Sequence, residues 1–247
     1  MTQPFIKFTS TFVQIKVNNT NMKNLKIAGI ALLAFFLNSC LGDDNGSFQE
    51  PEPSGWISFI NASPDSEELK FYIDGDMKGS AIDYGQFMPY FKTDVGNKVV
   101  SVKSGSTLLD ELNLNITDNV FFGVYAVNMG INTELIAYND NHNLSEDPLK
   151  AVFRFMQLSH NIPRVRLEFE GIDGDFGDYD FKESSEFQEI PSLYKKDLYL
   201  IDNVTNDTIL TKEVTLSAKK SYVIFSKGDY TSTNEDSELD LQVISFQ

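Results

Sequence analysis

The sequence predicts an all-β protein, built as two tandem β-sandwich domains of the immunoglobulin or transthyretin kind behind an N-terminal signal. Three observations carry that expectation. Val165, Leu167 and Phe169 alternate with Arg166, Glu168 and Glu170, and Leu112, Leu114 and Ile116 alternate with Asn113 and Asn115. A period of two leaves one face of a strand for a core and one for water. Turn-forming residues separate the apolar runs, at Asp74-Gly75, Ser104-Gly105, Asn203 to Asn206 and Lys227-Gly228, each chemistry suited to a tight reversal. Finally, the chain resembles itself: Ile57-Ser58-Phe59-Ile60-Asn61-Ala62-Ser63 runs against Phe153-Arg154-Phe155-Met156-Gln157-Leu158-Ser159 at an offset of 96, the mark of a repeated structural unit.

The repeat sets the domain plan. At the same offset Leu69, Phe71 and Ile73 fall on Val165, Leu167 and Phe169, and Asp74-Gly75 falls on Glu170-Gly171. Further on Phe87 is matched with Phe187, Leu112-Asn113-Leu114 with Val214-Thr215-Leu216, and Val120-Phe121-Phe122 with Tyr222-Val223-Ile224. The first unit, 56–138, reads as seven strands near 56–62, 69–73, 88–93, 98–104, 107–115, 120–128 and 133–138. Short strands at that spacing point to a sandwich. A polar segment over 139–150, rich in Asn and Asp, reads as the linker, and 151–247 as the second, divergent sandwich.

Composition bounds what the body can do. The chain has 247 residues, with 20 Phe and 10 Tyr, ample for packed cores. Its formal net charge is −16, yet residues 1–39 carry four lysines and no acid, so everything from Cys40 onward sums to −20. Such a surface repels nucleic acid and anionic headgroups, which excludes both as partners of the folded part. Cys40 is the sole cysteine, so no disulfide is available within the chain.

The N-terminal segment 1–39 reads as an extension followed by a signal peptide. Lys23 and Lys26 precede the apolar run Ile27–Leu37, which falls well short of the ~20 residues of a membrane-spanning helix. Met22 gives a signal of ordinary length and is read as the start. Leu37-Asn38-Ser39-Cys40 resembles a bacterial lipobox, and that resemblance implies lipidation of the Cys40 thiol and cleavage before it. Two or three acyl chains, at about 0.8 kcal/mol per buried methylene, anchor far more firmly than one. Leu41-Gly42-Asp43-Asp44 is similar to the export signals of surface lipoproteins of Bacteroidota. Both orientations on the outer membrane, cell surface and periplasmic face, stay open. Residues 40–55, with Glu50-Pro51-Glu52-Pro53, read as a flexible acidic tether.

The opening of the first unit, Trp56-Ile57-Ser58-Phe59-Ile60-Asn61-Ala62-Ser63-Pro64-Asp65 followed by Leu69-Lys70-Phe71-Tyr72-Ile73-Asp74-Gly75, resembles the bacterial family known as domain of unknown function 4397. Gly85-Gln86-Phe87-Met88-Pro89-Tyr90 is similar to a further segment of that family. The resemblance covers about 56–138, with Ser63-Pro64-Asp65 drifting to Ser159-His160-Asn161 in the second unit. It implies a secreted or surface-anchored β-sandwich, often in lipoproteins, and no particular activity. The Ser-Pro-Asp element itself reads as a structural turn.

Three groups of residues are weighed for chemistry. His142 and His160 are the two histidines, both in polar segments, and the sequence has no G-x-S-x-G, H-E-x-x-H or C-x-x-C. Isolated loop histidines are more often solvated than catalytic, so a non-enzymatic protein is expected. Asp173, Asp175, Asp178 and Asp180 form a calcium candidate, because hard cations take several oxygens from a flexible loop. The loop departs from the EF-hand pattern, and a solvated acidic hairpin is the other reading; no other cofactor is expected. Trp56, Tyr84, Tyr90, Phe91 and Tyr125 could offer ring faces to a sugar or could fill cores. The expectation is an outer-membrane lipoprotein, anchored through Cys40, that binds a protein or glycan partner; a carbohydrate-binding accessory lipoprotein is the alternative and a hydrolase the third reading. Cys40→Ala should move the protein from the membrane to the soluble fraction and abolish metabolic labelling with palmitate. A variant still lodged in membranes would remove the anchor.

Overall fold

The computed structural model describes residues 52–66, 68–234 and 237–246; Cys40 and the tether up to residue 51 lie outside them. Residues 52–247 form one compact unit. The first sandwich is made of β1 (Ser54–Asn61), β2 (Leu69–Ile73), β3 (Asp76–Met77), β4 (Phe87–Asp94), β5 (Gly96–Ser104), β6 (Thr107–Ile116), β7 (Phe121–Val127) and β8 (Glu134–Asn139). The second contains β9 (Lys150–Gln157), β10 (Val165–Phe169), β11 (Asp178–Tyr179), β12 (Gln188–Pro191), β13 (Leu193–Asp202), β14 (Thr208–Leu216), β15 (Ser221–Lys227) and β16 (Asp240–Phe246). Each sandwich thus has eight strands, one more than expected. The addition in the first is β3, a two-residue strand on the far side of the Asp74-Gly75 turn. Both turn residues have positive φ, 52° and 87°, the requirement of a type I′ hairpin that Asp-Gly meets at low cost.

Strand order is the same in the two halves. The first pairs a β4-β1-β7-β8 sheet with a β3-β2-β5-β6 sheet, and the second pairs β12-β9-β15-β16 with β11-β10-β13-β14. All neighbours are antiparallel except β1 with β7 and β9 with β15, which run parallel. An immunoglobulin sandwich keeps its first two strands in one sheet. Here β1 and β2 lie in opposite sheets, so these sandwiches depart from the immunoglobulin strand order.

The registers correct part of the sequence alignment. β1 and β9, and β2 and β10, keep the offset of 96. Ile57 lies beside Phe122 and Phe153 beside Tyr222, which makes Phe122 the counterpart of Tyr222 at an offset of 100. Burial agrees: Leu114 and Ile116 in β6 occupy the core as Val214 and Leu216 do in β14. The matches of Val120 with Tyr222 and of Leu112 with Val214 are therefore two residues out. A slip of two keeps every side chain on its face, so alternation alone cannot detect it. Phe87 faces Ile60 and Ser184 faces Met156, so Ser184, not Phe187, holds the place of Phe87.

Each sandwich encloses its own core, one around Phe59, Phe71, Val102 and Val124, the other around Phe153, Phe169, Leu200 and Ile224. A third core lies between them. Ile60, Ala62, Tyr125 and Val127 from the outer face of β1 and β7 pack with Met156, Leu158, Val223, Phe225 and Ile244 from β9, β15, β16 and their ends. The sheets containing β1 and β9 therefore face each other across an apolar layer. The strands involved are buried on both faces, every residue of 151–157 and 221–226 included. That explains their near-continuous apolar runs, which alternation would not produce.

Local turns are tied down by side chains. Ser63 is fully buried, its hydroxyl 2.8 Å from that of Thr133, and Asn61 Oδ1 accepts from the Ser63 N–H at 3.1 Å. In the second sandwich the Ser159 hydroxyl donates to the carbonyl of Gly228 at 2.7 Å. The Ser-Pro-Asp element is a structural turn, as its composition indicates.

Phe225, fully buried and 5.7 Å edge-on to Tyr125, anchors the third core. Phe225→Ala should lower the unfolding free energy by about 3–5 kcal/mol, read from urea denaturation. A denaturation midpoint equal to that of the parent protein would show that the layer between the sandwiches contributes nothing.

Candidate functional site

The third core does not cover the whole of the two facing sheets. Towards the start of β1 the sheets part, leaving a cleft of about 420 Å³. Its walls are Phe87, Pro89 and Tyr90 from β4, Phe121 from β7, Leu144 from the segment after β8, and Phe246 from β16. Its polar rim consists of Asp140, Asn141, His142, Ser221 and Ser245. The size falls within the usual range for small-ligand sites, and so does the composition, apolar walls with a few convergent polar groups.

Strand geometry places the rings. Trp56 on β1 and Phe121 on β7 are register partners on one sheet face, and their rings lie 5.8 Å apart and within 6° of parallel. Tyr90 meets Phe121 edge-on at 5.4 Å and approaches Phe246 of the second sandwich at 5.3 Å. Phe87 is 41% exposed and Leu144 47%, so the mouth of the cleft shows apolar surface to water.

A buried ion pair forms the floor. Tyr90 donates its hydroxyl to Asp140 Oδ2 at 2.5 Å, and Arg154 Nη1 on β9 lies 3.1 Å from Asp140 Oδ1. The same nitrogen donates to the carbonyl of Asn139 at 2.8 Å. Both charged side chains are almost wholly buried, 8% and 3% exposed. Burial pushes the Asp140 carboxyl above its ordinary range, against the opposing pull of Tyr90 and Arg154. Burial, with the Asp140 charge beside it, likewise raises the Tyr90 hydroxyl. Gly123 leaves room for the carboxylate, since a Cβ there would come within 2.6 Å of Asp140 Oδ2. Behind the pair, Phe187 is sandwiched by cation and imidazole contacts: Arg154 Cζ is 4.3 Å from its ring centre, and His142 stacks on it at 3.9 Å.

A second groove, about 590 Å³, opens between the Tyr84–Gln86 turn and strands β14 and β16. Lys227 lies 4.4 Å over the Tyr84 ring, Lys212 and Lys227 both approach Asp240, at 2.8 and 3.9 Å, and Gln242 donates to the carbonyl of Gly85 at 2.7 Å. Its charges are matched within the groove.

The structure sorts the expected site residues. Of the five aromatics singled out, Tyr90 lines the cleft, Trp56 stacks on the Phe121 ring that does, Tyr84 lies under Lys227, Phe91 packs on the first core and Tyr125 is fully buried in the third. His142 is half-buried and stacked, not a solvated loop residue, and its Nδ1 lies 2.7 Å from the carbonyl of Asp140. Asp173, Asp175, Asp178 and Asp180 do not converge on a point: among the described residues no group of three or more His, Cys, Asp and Glu is placed to hold a metal ion. Asp178 and Asp180 instead flank the guanidinium of Arg164, at 3.7 and 2.5 Å, while Asp175 accepts from the Gly177 N–H. Phe176 and Tyr179 bury the loop's rings in the second core, which makes it a packed hairpin. Sequence reading missed Asp140, Phe121 and Phe246, and it weighed His142 only as a solvated loop residue. Its available signal was the apolar Phe121-Phe122 run and a lone Phe close to the C-terminus.

Residues 55–168 match the model of the family described as Domain of unknown function (DUF4397). The match covers that stretch alone, somewhat less than half of the chain. It takes in the first sandwich, β9 and most of β10, past the limit at 138 that the motifs indicated. No curated protein matches the chain. Among solved structures, the chain is similar to CBMbc, a family CBM26 protein from Eubacterium rectale Amy13K in complex with maltoheptaose, at 10% identity over 78% of this chain and 97% of that one, TM-score 0.25. It is also similar to a protein named "putative adhesin" from Bacteroides ovatus, at 9% identity over 81% of this chain and 98% of that one, TM-score 0.23. Neither likeness bears on what this protein binds.

Removing one partner of a buried ion pair leaves the other charge uncompensated, at a cost of about 3–5 kcal/mol. Arg154→Met should therefore destabilise the protein by that order at pH 7. Without the cation the Asp140 carboxyl rises further, so the folded state takes up a proton more readily than the unfolded one, and the deficit should shrink as pH falls from 7 to 5. Urea midpoints of both proteins at the two pH values measure it; a pH-independent deficit would place the effect elsewhere.

Proposed function

We propose that this protein is a non-enzymatic lipoprotein of the cell envelope, held to the outer membrane by lipidated Cys40, and that it binds its partner in the cleft between its sandwiches. The observation that carries the binding reading is the cleft itself, an aromatic-walled concavity whose mouth leaves Phe87 and Leu144 in water. Exposed apolar surface rimmed by polar groups is the ordinary appearance of an interaction site.

The chemistry of the rim favours binding over catalysis. A general acid or base needs a free proton site facing the substrate. Both Asp140 oxygens are held, one by Arg154 and one by Tyr90, so the carboxylate that lines the cleft has no free proton site. These groups are arranged to brace the cleft. The formal charge of −16 further disfavours nucleic acid or anionic lipid as the partner of the folded part.

Purified full-length protein and its Phe87→Ala and Phe121→Ala variants, incubated with solubilised envelope material, test this reading. The parent protein should retain a component that both variants retain at least tenfold less, with circular dichroism melts confirming that the variants are folded. Equal retention by all three proteins would remove the cleft as the binding site.

A further inference from the structure

The geometry points to an uncharged saccharide as the ligand of the cleft, an inference that rests on the cleft being the binding site. Charge narrows the class first. Among the described residues no Lys or Arg lines the cleft, Arg154 beneath it is already engaged by Asp140, and the protein as a whole carries −16, so an anionic ligand would meet repulsion with no free cation to offset it. A cationic ligand finds no free counter-charge either, because the one carboxylate on the rim, Asp140, is already paired with Arg154 at 3.1 Å. An uncharged ligand fits both facts.

The walls narrow it further. Phe121, Tyr90 and Phe246 present partly exposed rings to one space, with centres 5.3 to 5.4 Å apart along the series. Trp56, within 6° of parallel to Phe121, continues the aromatic surface along the sheet. A pyranose has C–H faces that lie on such rings and hydroxyls around its edge that need partners. The rim supplies them. A carbonyl only accepts, so His142 Nδ1, 2.7 Å from the Asp140 carbonyl, is the donor there, and Nε2 can pair with a ligand hydroxyl, which both donates and accepts. Ser245 adds an exposed hydroxyl, while the buried Ser221 donates its own to the Phe246 carbonyl at 3.4 Å. Asn141 braces the rim: its Oδ1 accepts from the Phe121 N–H and its Nδ2 donates to Asn119, both at 2.8 Å. A purely apolar ligand would cover these polar groups without replacing their water contacts, a penalty that a polyhydroxylated ring avoids.

Trp56 is the sole tryptophan and touches the ring that lines the cleft, so its emission reports on occupancy. The experiment is a binding screen of the full-length protein on immobilised neutral oligosaccharides from α-glucan, β-glucan, mannan, xylan and galactan, beside polygalacturonate and a tryptic digest of envelope proteins, followed by titration of hits against Trp56 fluorescence. At least one neutral oligosaccharide should bind and change that emission. Phe121→Ala and His142→Ala should each weaken it tenfold or more, while Lys212→Ala in the other groove leaves it unchanged. Phe87→Ala, at an exposed site, keeps the test valid if Phe121→Ala fails to fold. Binding to none of the neutral oligosaccharides, preference for polygalacturonate, or hits indifferent to these cleft variants would overturn the inference. A Phe121-dependent peptide ligand would overturn the saccharide class and leave the cleft as the binding site; no Phe121-dependent ligand of any class would remove both.

Discussion

Burial of β1, β7, β9 and β15 on both faces is the constraint on which the rest depends. A sandwich normally has one dry face per sheet, and its outer faces stay wet. In this protein two outer faces are closed on each other by Ile60, Tyr125, Val127, Met156, Val223 and Phe225. That apolar layer makes residues 52–247 a single unit, and it fixes which side chains from distant parts of the chain can meet. With no cysteine after Cys40, burial does the work that disulfides do in many small extracellular domains.

The ion pair at the end of this layer acts differently. Desolvating Arg154 and Asp140 consumes most of what their attraction returns, so the pair adds little net stability. Its contribution is positional. Asp140 follows β8, Arg154 sits on β9 and Tyr90 on β4, and the three meet only when both sandwiches are docked in one register. The pair therefore marks where the apolar layer stops and the cleft begins. Because Tyr90 is both a wall of the cleft and the donor to Asp140, the shape of the cleft is tied to the docking of the two halves.

Strand positions were largely legible, since alternation such as Leu69-Lys70-Phe71-Tyr72-Ile73 reports a half-buried strand wherever it lies. The doubly buried strands gave a weaker signal: residues 151–156 read as an apolar run broken only by Arg154, and its second covered face has no marker in the sequence. The site was mostly illegible. Asn139-Asp140-Asn141-His142-Asn143 has the composition of a solvated linker, yet it carries the buried carboxylate and a stacked imidazole. Its partners, Tyr90, Phe121, Arg154, Phe187 and Phe246, come from five other places in the chain, and no local pattern announces such a meeting.

What the sequence determined by itself was therefore local and periodic: an all-β chain, the placing of its strands and tight turns, and motifs similar to those of the DUF4397 family. Backbone conformation and the side-chain alternation of a strand depend on near neighbours, which a sequence displays directly. The tertiary structure alone decided that the two sandwiches are joined face to face, that Tyr125 is core while Tyr90 lines a cleft, and that Asp178 and Asp180 flank Arg164. Each of those outcomes turns on which face meets which across large separations in the chain, and an apolar face is compatible with any apolar partner until packing selects one.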